Sequence, residues 1–128
     1  MVDWRIYDHP ILEYDRGKEI TIYLDGKPVK AFENETVAAA LYAAGLREFS
    51  KSIKYRRPRG FFCAIGRCSS CMMEVDGVPN VRTCTMPVHD GMRIKSQNTP
   101  AQLLSPILNL MKLPPQKYMR MFTRPGII

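Results

Sequence analysis

Four cysteines constrain this chain more than any other feature. Cys63, Cys68, Cys71 and Cys84 follow the spacing C-x4-C-x2-C-x12-C, and the sequence holds no fifth cysteine. The run Cys63-Ala-Ile-Gly-Arg-Cys68-Ser-Ser-Cys71 has neither helical nor strand periodicity. With Gly60 and Gly66 it reads as a loop in which glycine permits positive φ and close backbone approach. Cys84 comes after a strand, Asp-Gly, strand pattern (Met72 to Thr83), which would fold the chain back and return the fourth thiol to that loop.

The first three members of the cluster match the plant-type [2Fe–2S] spacing, in which four thiolates hold the two irons. Zinc is the competing reading, because C-x2-C also occurs in zinc knuckles. Zinc sites pair two short Cys units, however, and a single Cys84 does not supply the second. The expected metal ligands are Cys63, Cys68, Cys71 and Cys84, and the expected chemistry is one-electron transfer. Arg56, Arg57, Arg59, Arg67 and Arg82 bracket them. An oxidised four-thiolate cluster carries a formal charge of about −2, so this cationic surround should favour the reduced form.

At 128 residues the chain is one domain, and 45% apolar residues are enough for a globular core. The net charge of +7 directs attention to an acidic partner or a polyanion. The N-terminus lacks an apolar leader, and no stretch has the ~20 apolar residues of a membrane span. The expected location is therefore cytoplasmic, where thiols stay reduced.

The alternation of Glu19–Leu24, the turn at Asp25-Gly26 and the β-prone Pro28–Phe32 predict a hairpin. Glu33-Asn-Glu-Thr36 supplies a cap and first-turn acids for a helix over Val37–Ala44, with Gly45 ending it. The second hairpin spans Met72–Thr83 and a last strand lies at Gly91–Lys95. The predicted class is α+β, a mixed sheet packed on one main helix. Residues 1–17 read as an extended N-terminal arm, 18–96 as the folded body and 97–128 as a C-terminal tail.

Gly60-Phe-Phe-Cys63, Cys68-Ser-Ser-Cys71, Glu74-Val-Asp-Gly77, Val81-Arg-Thr-Cys84 and the preceding Lys54-Tyr-Arg-Arg-Pro-Arg-Gly60 resemble a known family over about residues 10–96. It is the small ferredoxin-like subunit of multi-subunit FAD-dependent amine and imino-acid dehydrogenases. That group includes dye-linked proline and hydroxyproline dehydrogenases, opine oxidases and hydrogen cyanide synthases, and the N-terminal domain of the sarcosine oxidase α subunit is similar. The resemblance implies a β-grasp fold and one [2Fe–2S] cluster on the four cysteines. It also implies a larger FAD-containing partner in a hetero-oligomer, from whose flavin electrons are accepted. The small subunits of molybdenum hydroxylases begin similarly but continue with four more cysteines, which are absent here. Free plant-type ferredoxins are acidic, unlike this chain, and have a longer interval before the fourth cysteine.

The rest of the sequence offers no catalytic site. His9 and His89 are isolated, Asp8, Asp15, Glu19 and Glu33 form no acid–base pair, and no P-loop, dinucleotide or nucleophile motif occurs. The chain alone is therefore expected to be non-catalytic, with flavin and substrate on another subunit. A structural or regulatory subunit, its cluster or zinc mainly stabilising the fold, is the alternative. The basic run Lys51–Arg59 suits potential tuning and partner docking better than nucleic acid. Leu103, Leu104, Ile107, Leu108, Leu110, Met111 and Tyr118-Met-Arg-Met-Phe122 mark the tail as a docking segment.

Overall fold

The structure, a computed structural model, describes residues 2–98. The expected docking tail therefore lies outside the described residues, apart from Gln97 and Asn98. Eight elements follow in order: β1 (Glu19–Leu24), β2 (Lys27–Phe32), α1 (Val37–Ala43), β3 (Ser50–Lys51), β4 (Pro58–Arg59), β5 (Met72–Val75), β6 (Val78–Arg82) and β7 (Arg93–Lys95).

Five strands form one mixed sheet in the order β2-β1-β7-β5-β6. β1 pairs with β7 in parallel, while β1–β2, β5–β6 and β5–β7 are antiparallel. Both hairpins turn on Asp-Gly with φ of 48° and 83°, at Asp25-Gly26 and at Asp76-Gly77. Two successive positive φ values match the twist of the flanking strands, so the sequence chemistry sets both registers.

Period-two alternation buries one face of the sheet. Ile20 and Ile22 point inward from β1, Val29 and Ala31 from β2, Met73 and Val75 from β5, and Ile94 from β7. Val37, Ala38, Ala40 and Leu41 of α1 join the same core, with Phe49 and Met92. Each Val, Leu, Ile, Met or Phe among them contributes about 1.5–3 kcal/mol when fully buried.

The helix is tied down at both ends. Thr36 caps it, its Oγ1 accepting from the Ala39 N–H at 3.3 Å. The Val37 and Ala38 amides donate to the carbonyls of Met86 (2.9 Å) and Thr83 (3.0 Å), so the helix start is fastened to the segment that carries Cys84. Gly45, at φ 97°, ends the helix, with Leu46 N–H returning to Leu41 C=O at 3.0 Å.

Two sequence expectations need correction. The first turn of α1 holds no acid. Glu33 and Glu35 precede the cap, and Glu35 instead grips the N-terminal segment through Arg5 (2.7 Å) and Arg16 (3.2 Å). The run 51–59, where no strand was expected, contributes to a small second sheet. β3 and β4 pair antiparallel, and the loop between them closes through Ser52 N–H to Arg57 C=O (2.9 Å) and Arg57 N–H to Ser52 Oγ (2.9 Å).

Candidate metal centre

The loop from Gly60 to Cys71 leaves β4 and enters β5, and its path is set by contacts remote in sequence. A Cβ on Gly60 would lie 2.2 Å from the Arg47 carbonyl oxygen, so only glycine lets these backbones cross. Phe61 then packs against Phe49 and Tyr42, with ring centroids 6.5 and 5.7 Å apart, which anchors the chain two residues before the first cysteine. Ala64 and Gly66 both adopt positive φ, 59° and 77°, and curl the loop back on itself.

That curl aims backbone amides at sulfur. The Cys68 N–H donates to Cys63 Sγ at 3.3 Å. Amide donation from Cys68 first, then from Ile65, with a smaller part from Arg67, holds the Cys63 thiol down to about 6. An amide-lined sulfur of this kind stabilises negative charge, which a metal thiolate requires. Cys63 and Cys68 are half-buried, and the loop between them is exposed.

Cys71 and Cys84 belong to the core, only 1% and 5% exposed. They flank the base of the β5–β6 hairpin, whose last ladder pair is Met72 with Arg82. Thr83, fully buried, closes that base by donating its Oγ1 (2.6 Å) and its N–H (3.4 Å) to the Cys71 carbonyl. Burial pushes the Cys84 thiol up, the neighbouring Cys71 thiol adds to this, and the Gly66 amide opposes both. The Gly66 donation ties the loop to the hairpin.

Cys63 neighbours Cys68 and Cys71 neighbours Cys84, and Cys84 also feels the charge of Cys63, so the four thiols share one region. Among the described residues no three His, Cys, Asp or Glu side chains form a group able to hold a single ion. Four cysteine thiolates are the donor set that a [2Fe–2S] cluster uses. The donor set and the amide-lined sulfurs thus fit a [2Fe–2S] group.

Nothing in the residue pattern marks Ala64, Thr85 or the Arg47 carbonyl as parts of this frame. Thr83, one residue beyond β6, was within reach only as the end of the expected Met72–Thr83 hairpin. His9 accepts the amides of Ile11 (3.2 Å) and Leu12 (3.0 Å) through Nδ1, and His89 lies 3.0 Å from Asp76. Both have local partners.

Two expected results follow here. A Cβ on Gly66 would meet Thr85 Cγ2 at 2.9 Å at a φ of 77°, whereas one on Gly77 would meet nothing within 4 Å at a φ of 83°. Gly66→Ala should cost the cluster-loaded chain about 1–3 kcal/mol in a urea titration, more than Gly77→Ala, which carries the φ penalty alone. Equal costs would remove Thr85 from the account. In the cluster-free chain, Cys63 is lowered from 9.0 to about 6, so the folded state favours its thiolate. That contribution is present above pH 9 and lost as pH falls through 6. Cys84 is raised from 9.0, so its contribution is present below pH 9 and lost as pH rises further. Iodoacetamide alkylation should inflect near pH 6 at Cys63 and above pH 9 at Cys84. A common inflection at both would contradict the amide cradle.

Comparison with known proteins supports the same cofactor. Residues 17–99 match the family described as a 2Fe-2S iron-sulfur cluster binding domain. Hydrogen cyanide synthase subunit HcnA of Pseudomonas aeruginosa is 38% identical over 90 residues, which cover 70% of this chain and 85% of that protein. Sarcosine oxidase subunit alpha of Rhizobium meliloti is 32% identical over 88 residues, covering 66% of this chain but 9% of that protein. The crystal structure of L-proline dehydrogenase from P. horikoshii superposes with a TM-score of 0.56 at 34% identity, covering 66% of this chain and 16% of that one. The α+β fold and the [2Fe–2S] cofactor expected from the sequence stand. The chain belongs to the family of 2Fe-2S iron-sulfur cluster binding domains.

Proposed function

We propose that this chain is the electron-transfer subunit of a hetero-oligomeric dehydrogenase, with Cys63, Cys68, Cys71 and Cys84 as the ligands of one [2Fe–2S] cluster. The observation that carries the proposal is a set of four cysteines whose loop amides already point at sulfur. When bound, such a cluster accepts and returns one electron at a time. The protein's part is to hold charge and exclude disorder. Cys71 and Cys84 fix one side of the centre in the core, while the half-buried Cys63 and Cys68 leave the other side near the surface.

The relatives support a larger partner. HcnA and the sarcosine oxidase protein are both named as subunits, and L-proline dehydrogenase is a likeness at 34% identity. On this reading a partner subunit carries FAD, oxidises proline, hydroxyproline or a related amine, and passes electrons here. Residues 97–128 serve as a docking tail beside the body 18–96, residues 1–17 are its N-terminal arm, and this chain alone turns over no substrate. Among the described residues no helix is long and apolar enough to cross a membrane.

Purified with its partner under anaerobic conditions, the complex should show a cluster signal when proline or hydroxyproline is added. Flavin bleaching without any cluster reduction, with every amine tried, would sink the proposal. A further expected result concerns Arg67, whose amide faces Cys63 and whose side chain is exposed. Arg67→Glu should lower the reduction potential, because added negative charge disfavours the reduced cluster. A redox titration with an unmoved midpoint would exclude side-chain tuning.

A further inference from the structure

The positive charge of this chain is concentrated on one segment. From Phe49 to Met73 there is no Asp or Glu, and Lys51, Lys54, Arg56, Arg57, Arg59 and Arg67 are all present. That segment supplies six positive charges of a net +7, so the remainder of the molecule is almost neutral. It contains the β3–β4 hairpin and the first three cysteines. Arg59 closes β4 four residues before Cys63, within about 14 Å along the chain.

Large apolar side chains are exposed in the same segment. Phe62 is 83% exposed, Ile65 68%, Tyr55 65% and Ile53 48%. Phe62 and Ile65 sit on either side of Cys63, and Tyr55 is at the hairpin loop with the Arg57 guanidinium 5.1 Å from its ring centroid. The hairpin is held rather than loose. Phe49 N–H donates to Arg59 C=O (2.8 Å), Gln97 bridges Ser50, and Asn98 Nδ2 donates to the Lys51 carbonyl (2.8 Å). Arg56 donates to the Asn98 carbonyl, so its charge is turned to an internal task, whereas Arg57, Arg59 and Arg67 are exposed.

We propose that the β3–β4 hairpin and the Phe62–Arg67 loop form one docking face for an acidic protein surface with an apolar centre. On this face the partner exchanges electrons with the cluster. The inference rests on the electron-transfer reading and adds the face and the chemistry of its partner. Exposed arginines give long-range attraction and on-rate, and Phe62 with Ile65 gives a desolvated contact next to the half-buried thiols. A polyanion such as DNA would use the cations and leave Phe62 and Ile65 in water, so the apolar centre favours a protein. Reversing the hairpin charge should therefore slow electron exchange at low salt, over and above any change that a shifted midpoint potential sets.

Ferricyanide, a small trivalent anion that accepts one electron, serves as the probe. The cluster-loaded chain, reduced anaerobically, is mixed with it by stopped flow from about 10 to 300 mM ionic strength. Compared are the wild type, Arg57→Glu/Arg59→Glu on the face, and Lys18→Glu/Lys27→Glu, an equal charge change elsewhere. The midpoint potential of each is measured so that the rates are compared after correction for driving force. The face variant should lose about tenfold in rate at low salt, with the loss vanishing at high salt, and the remote variant less than twofold. Equal losses in both would reduce the effect to net charge and overturn the face. Binding of random-sequence duplex DNA tighter than about 1 μM at 150 mM salt, abolished in the face variant, would overturn it in favour of nucleic acid. A wild-type chain that shows no reducible centre fails the electron-transfer reading itself. A reducible centre with unchanged rates in the face variant fails the docking face alone.

Discussion

Replacing any of the four cysteines with serine should abolish the [2Fe–2S] centre, but the fold should suffer unequally. Cys63 is half-buried on an exposed loop, while Cys71 and Cys84 are packed among Met73, Val75 and Met92 in the core. A hydroxyl placed at Cys84 enters an apolar site, where an unsatisfied polar group costs about 1–3 kcal/mol. In the cluster-free chain, Cys63→Ser should change stability by no more than about 0.5 kcal/mol and Cys84→Ser by about 1–3 kcal/mol. With cluster loading included, both variants lose in addition whatever the metal contributes, because binding and folding are coupled. The comparison needs urea titrations of each variant in loaded and cluster-free form. Equal destabilisation of the two cluster-free variants would contradict the division into a surface pair and a core pair. It also separates function from structure. If the partner complex assembles with the Cys63 variant but no longer reduces an acceptor, the cluster is a carrier. Loss of assembly with that variant favours a structural cluster.

The second large effect is expected far from the thiols, at Glu35. Its carboxylate receives Arg5 through two bonds (Nε at 2.7 Å, Nη2 at 2.8 Å), Arg16 at 3.2 Å and the Phe32 amide at 3.3 Å. The Arg5 side chain is 3% exposed, lies over the Phe32 ring and also donates to the Lys30 carbonyl. Arg16 lies between the rings of Tyr7 and Tyr14, at 5.2 and 5.4 Å. Trp4 N–H adds a bond to the Ala43 carbonyl at 2.9 Å, so residues 4–16 are strapped across the helix and β2. Removing one partner from a buried pair leaves an uncompensated charge, at a cost of about 3–5 kcal/mol where it cannot escape. Here the segment can lift into water, which lowers the expected cost of Glu35→Ala to about 2–3 kcal/mol. Glu33→Ala, at an exposed carboxylate, should cost less than about 0.5 kcal/mol. Chymotrypsin should cut the Glu35 variant at Tyr7 and Tyr14 under conditions that spare the wild type. A variant as stable and as protease-resistant as Glu33→Ala would show that the strap is not held by this carboxylate.

The parts of the fold legible in the sequence are those decided within a few residues. Asp25-Gly26 and Asp76-Gly77 specify their turns through φ, Thr36 caps and Gly45 stops the helix, and alternation through Ile20 and Ile22 shows which face is inside. The cysteine spacing likewise pointed to the cofactor because it records loop geometry. What was not legible depends on partners remote in sequence. Glu35 looks like a helix-start acid until Arg5, thirty positions earlier, is placed against it. Gly60 looks like a flexible loop residue, but it is a crossing point over the Arg47 carbonyl. The two-residue strands Ser50–Lys51 and Pro58–Arg59 are too short to alternate, and they exist because a closed loop and Asn98 hold them. The pairing of the thiols required the sheet to bring Cys84 back beside Cys71.

The central claim, that the four thiols of this chain hold one [2Fe–2S] cluster that carries single electrons, is tested most directly by one EPR experiment. The anaerobically purified chain is measured before and after dithionite, with iron, sulfide and zinc determined on the same sample. The account predicts a silent oxidised sample, a rhombic signal on reduction, and about two irons and two sulfides per chain. A sample silent in both states with about one zinc per chain would contradict it and make the centre structural.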